Sequence, residues 1–65
     1  MNKTFLNRIE INPDIMSGKP VIKGTRITIE IILEKLSQNI PVPEILADYP
    51  KLTAEDIQAA IAYFC

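Results

Sequence analysis

Histidine and tryptophan are absent from this 65-residue sequence, and its single cysteine is the last residue, Cys65. One thiol and no imidazole leave nothing from which to build a disulfide framework or a zinc site. Ser17 and Thr25 likewise lack an evident general base. Carboxylate pairs occur at Glu30/Glu34 and Glu55/Asp56. On helix faces these read as solvated, because a carboxylate needs burial or a charged neighbour to be tuned. No catalytic residue, metal or cofactor is therefore expected, and the chain reads as a non-enzyme. Long apolar runs are lacking too. No stretch approaches the roughly 18 apolar residues of a membrane span, and "MNKTFLNRIEI" is no secretory signal. A lone cysteine suits a reducing compartment, so the expected location is cytoplasmic, with no membrane partner.

What is present is aliphatic: 48% of the residues are hydrophobic, many of them isoleucine. A chain of this length makes one domain, residues 1–65, and buries only about 60% of its unfolded surface. Covering the remaining apolar surface with a second copy predicts a homodimer. The exposed edges of the N-terminal strands are candidates for pairing or exchange. Charge is unevenly divided. Residues 1–27 carry Lys3, Arg8, Lys19, Lys23 and Arg26 against Glu10 and Asp14, a net +3, whereas residues 28–65 carry a net −4. Such polarity bears on partners rather than on fold.

"RIEI" alternates charge and isoleucine, the period of a half-buried strand, and "NPD" breaks it. "KPVIKGTRI" resumes extended character. Pro20 cannot donate to a ladder and belongs at a strand edge, while Gly18 and Gly24 suit turn positions of positive φ. Two short strands, Arg8–Ile11 and Val21–Lys23, are predicted within a β element over about residues 8–27. From Thr28 the period changes: Ile29, Ile32, Leu33 and Leu36 form one helical stripe, with Thr28 as N-cap and Glu30 in the first turn. Pro41 is expected to end this helix near residue 38. A second helix is expected over 43–49, burying Ile45, Leu46 and Tyr49. The third, over 53–64, is capped by Thr53 with Asp56 three residues on, and Ile57, Ala60, Ile61 and Phe64 form its inner stripe. The corner "PKLT" gives helix-turn-helix spacing. The expected fold is mainly α with a small β element: a homeodomain-like three-helix domain preceded by short strands.

The functional question falls on "SGKPVIKGTRI". It is no phosphate loop, because Lys19 follows the first glycine and Thr25 directly follows the second. Nor does "AEDIQAAIAYF" read DNA well, offering Gln58 and two acids where base edges require donors and phosphates require cations. Any nucleic-acid or partner contact is expected from Arg8, Lys19, Lys23 and Arg26; the alternative is that they are ordinary surface charges around a turn. Arg26 has a further use, pinning the loop to a carbonyl or a helix C-terminus.

"RIEINPDIMSGKPVIKGTRITIEIILEKL" followed by "PEILADYPKLTAEDIQAAIAYF" resembles the four-three-three domain-of-unknown-function family of small bacterial and archaeal proteins, over about residues 8–64. The resemblance implies the homeodomain-like fold. It also implies likeness to VapB-type antitoxins, which repress their own operon and smother a PIN-like ribonuclease toxin. A PIN-type site is a carboxylate cluster holding magnesium, and Lys23 or Arg26 is suited to the metal's place. Pro41 stands where members often carry a Ser or Asp cap, partly offset by Pro43 and Glu44. Antitoxins commonly reach the toxin with a segment beyond the DNA-binding domain. The expectation here is contact within the domain, or a free-standing role. Three readings follow in order: an antitoxin-like protein binding a PIN-like toxin and its promoter DNA; a homodimeric protein-interaction module without nucleic acid; and a stand-alone regulator of duplex DNA.

Overall fold

Alternation in "RIEI" makes a strand, though a shorter one than expected. In the computed structural model, which describes residues 7–64 (the last by its backbone alone), β1 is Ile9–Glu10 and β2 is Val21–Ile22. They pair antiparallel with Ile9 opposite Ile22 and Glu10 opposite Val21. The far edge of β2 is covered by the chain entering the first helix. Ile22 N–H donates to the Ile27 carbonyl, Ile29 N–H to that of Pro20, and Val21 bridges Thr28. Pro20 thus serves as an acceptor at the strand's start, where its missing N–H costs nothing.

Both glycines occupy left-handed backbone. Gly24 (φ 83°) sits in a turn closed by Thr25 N–H on the Ile22 carbonyl. A Cβ there would meet nothing within 4 Å, so the φ angle and not close approach calls for glycine. Gly18 (φ 84°) ends a turn in which Met16 and Ser17 are also left-handed, at φ 49° and 58°. Each such non-glycine residue costs about 1–2 kcal/mol. Ser17→Gly is therefore expected to stabilise the chain by about 0.5 kcal/mol, the strain relieved outweighing the entropy glycine adds to the unfolded state. A urea midpoint that falls on this substitution would contradict the expectation.

Three helices follow: α1 (Ile29–Ser37), α2 (Val42–Asp48) and α3 (Ala54–Phe64). Thr28 caps α1, its Oγ1 accepting the Ile31 N–H at 3.1 Å. The stripe faces inward, with Ile29 and Ile32 buried and Leu33 and Leu36 packed against the core. Asn39, at φ 62°, stops the helix ahead of Pro41. Its N–H reaches the Leu36 carbonyl while Ile40 N–H reaches that of Lys35, the paired bonds of a Schellman motif. α2 starts one residue before the predicted 43, with Pro41 at its N-cap and Ile45 as its one buried residue. Thr53 and Asp56 form a reciprocal capping box on α3: Thr53 N–H donates to Asp56 Oδ2 at 3.0 Å, and Asp56 N–H to Thr53 Oγ1 at 3.3 Å.

Ile22, Ile29, Ile32, Ile45, Leu52, Ile57 and Ala60 make one core joining the sheet to all three helices. Two sequence expectations for α3 need correction. Ile61 is 44% exposed, whereas Asp56, placed on a solvated face, is 5% exposed. The two findings share a cause. The buried residues Asp56, Ile57, Ala59 and Ala60 centre the inner arc between Asp56 and Ala60, which leaves Ile61 roughly 120° away on a 3.6-residue turn. The side chain of Phe64, also assigned to the stripe, lies outside the described residues. Among the described residues no helix is long and apolar enough to cross a membrane.

Candidate cation-lined binding face

The same Asp56 decides which cations are free to act. Arg8, brought up by β1, donates from Nη1 to Asp56 Oδ1 at 3.2 Å. This contact ties the sheet to the start of α3 across 48 positions of sequence. With both Oδ atoms engaged, Asp56 satisfies an orphan N–H at the helix start and neutralises Arg8. Lys19 is also occupied, its Nζ lying 3.3 Å from Glu30 Oε1 on the surface. That pair is exposed on both sides and contributes little to stability.

Lys23 and Arg26 differ. Both are exposed, and neither makes an ion pair among the described residues. They flank Gly24 and Thr25 at the tip of the turn after β2. That turn is held rigid by Thr25, whose Oγ1 donates to the Ile22 carbonyl at 2.8 Å and accepts from Ile27 N–H at 3.0 Å. Fixing the tip aims both cations without fixing their side chains. Arg26 makes no hydrogen bond to a carbonyl or a helix C-terminus among the described residues, so its pinning role is not seen.

Two open depressions adjoin this tip. The first, of about 480 Å³, has half-buried Ile15 and Ile27 in its lining, with Glu10, Arg26 and Lys51. The second, of about 370 Å³, is lined by Asn7, Arg8, Lys23, Lys51, Thr53 and Asp56. Lys51 borders both. The four expected contact residues are thus divided: Lys23 and Arg26 present charge, Arg8 lines the second depression as half of an ion pair, and Lys19 lines neither. Sequence reasoning missed Lys51, reading "PKLT" only as a corner. Its meeting with Lys23 is a long-range consequence of α3 docking that no local pattern carries.

The chemistry available is electrostatic. Lys23, Arg26 and Lys51 attract carboxylate or phosphate, while Ile15 and Ile27 offer an apolar floor. Among the described residues no three metal-ligating side chains come together.

Comparison with known proteins places the chain. It is 35% identical over 52 residues to the uncharacterized protein y4eO of Sinorhizobium fredii (strain NBRC 101917 / NGR234), covering 80% of this chain and 24% of that protein. The crystal structure of a DUF433 member protein from Anabaena variabilis ATCC 29413 matches with a TM-score of 0.85 and 39% identity, over 95% of this chain and 61% of that one. The chain thus spans about a quarter of the curated relative's length. The model of the family described as "Protein of unknown function (DUF433)" matches residues 9–64, nearly the whole sequence, and the chain belongs to that family.

Proposed function

We propose that this DUF433 chain is an antitoxin-like cytoplasmic protein whose cationic face engages the acidic active-site region of a PIN-like ribonuclease. The observation that carries the reading is the unequal fate of the basic residues. Arg8 and Lys19 are neutralised within the chain, whereas Lys23 and Arg26 stand on a rigid tip without a counter-charge among the described residues. Charges presented this way steer an acidic partner and fix its register. Promoter DNA is the secondary partner of this reading, held by the same cations. The second helix of the corner does not favour a base-reading role, since its exposed side chains include Glu55, Gln58 and Ile61.

A nuclease-treated pull-down of the tagged chain from its native lysate tests the proposal. The expected result is stoichiometric recovery of a small PIN-like protein. A Lys23→Glu/Arg26→Glu double variant should lower affinity for the purified partner at least about tenfold. Its unfolding free energy in urea should stay within about 0.5 kcal/mol of the parent, both residues being exposed. Recovery of the chain alone would sink the reading. DNA binding is checked by titrating duplex DNA at two salt concentrations, where phosphate contacts predict a steep loss of affinity.

Exposed apolar residues support a second reading, a homodimeric interaction module. Ile11 is 60% exposed, and on α3 both Ile61 and, near the helix end, Tyr63 are exposed. Light scattering at micromolar concentration that reports a monomer would exclude it.

A further inference from the structure

Among the described residues Lys51 is the one exposed cation that borders both depressions, and it comes from the helix corner rather than from the basic N-terminal half. We propose that the face receives an acidic segment of a protein partner in which an aliphatic side chain lies between carboxylates, with Lys51 as the cation shared by two adjoining subsites. This rests on the reading of the cationic face as a protein-binding surface and specifies what that surface selects.

The lining explains the selection. Half-buried Ile15 and Ile27 reward an apolar side chain in the first depression. Glu10 in the same lining repels a carboxylate there, so acids are directed outward to Arg26 and Lys51. Among the described residues the second depression has no aliphatic lining residue, and it carries Lys23 and Lys51. Arg8 is already paired with Asp56 in its wall, so a second carboxylate meets the two lysines. An extended segment advances about 3.3 Å per residue and alternates its side chains. Residues two apart share a face, so a segment with an acid two positions on either side of an aliphatic residue can lay that residue on the first floor and direct both acids to the cations. Phosphate backbone offers nothing to the isoleucine floor, which favours an acidic peptide carrying an aliphatic side chain over nucleic acid.

Fluorescence anisotropy on the full chain tests this with a labelled dodecapeptide of repeating Asp-Thr-Leu-Thr, which puts Asp and Leu in turn on one face of an extended chain. Comparison probes carry Asn in place of Asp or Ser in place of Leu, and a short DNA duplex serves as a polyanion. The Asp-Thr-Leu-Thr peptide should bind at least about tenfold more tightly than either altered peptide. Lys51→Glu and Lys51→Gln should weaken it, the first by at least about tenfold. Lys35→Gln, in neither lining, should leave affinity unchanged, and thermal melts establish that each variant is folded. Equal binding of the Ser peptide, equal competition by the duplex, or unaltered affinity in folded Lys51 variants overturns the inference. A partner protein that releases the Lys23→Glu/Arg26→Glu chain but holds Lys51→Glu as tightly as the parent overturns the inference while leaving the broader reading intact. Absence of both partner and peptide binding overturns both.

Discussion

Replacing Ile45 with alanine is expected to remove about 3 kcal/mol of stability, within the roughly 2–5 kcal/mol found for large-to-small changes at buried aliphatic positions. The residue is 0% exposed and is the one buried side chain of α2. Leu46 and Tyr49 from the same stretch reach the core only partly. Seven residues do not hold a helix in water by themselves, so α2 persists because Ile45 is anchored among Ile22, Ile29, Ile32, Leu52 and Ile57. A domain of this size has on the order of 3–10 kcal/mol to lose. The variant should therefore unfold at a urea concentration about 2–3 M lower at constant m-value, taking a slope near 1 kcal/mol/M. Ile45→Val should cost only about 1 kcal/mol. Ile61→Ala, the same residue type on the exposed side of α3, should shift stability by no more than about 0.5 kcal/mol. Near-equal midpoints for Ile45→Ala and Ile61→Ala would show that the core has been misidentified.

That contrast between two isoleucines marks where sequence reasoning reaches and where it stops. The α1 stripe, the Thr28 cap, the Thr53–Asp56 box and the turn glycines are legible because each is specified within a few residues and has a local physical cause. Pattern counting alone set Ile61 with Ile57 and Ala60. The helix is instead rotated to bury Asp56, because a carboxylate that caps Thr53 also finds Arg8, just ahead of β1 and 48 positions away. Nothing near Asp56 in sequence announces that partner. The end of α1 was assigned to Pro41, although Asn39 already stops the helix in a left-handed cap. At the candidate site, Lys23 and Arg26 were found from composition around two glycines. Lys51 required knowing that the corner docks beside the turn.

Removing the Asp56 carboxylate is expected to have two consequences of opposite value. Asp56→Ala loses the acceptor for Thr53 N–H, worth about 1 kcal/mol at a helix N-terminus. It also loses the Arg8 pair, worth about 0.5–1 kcal/mol because the Arg8 side chain is 42% exposed and partly screened. The total destabilisation should be about 2 kcal/mol by urea unfolding. Arg8→Ala should cost less, about 0.5–1 kcal/mol, since Asp56 keeps its bond to Thr53. The double variant should then fall short of the sum of the two, the mark of a direct interaction in a double-mutant cycle. Meanwhile the substitution frees Arg8 beside Lys23 and Lys51 in the wall of the second depression. Under conditions where Asp56→Ala is still folded, it should bind the Asp-Thr-Leu-Thr peptide several-fold more tightly than the parent, and Arg8→Ala/Asp56→Ala should lose that gain. Additive stability effects would remove the ion pair from the account. A destabilised Asp56→Ala with unchanged peptide affinity would keep Arg8 out of the binding face. Tighter binding at lower stability would mean that Asp56 holds the sheet to α3 by withholding one cation from the surface.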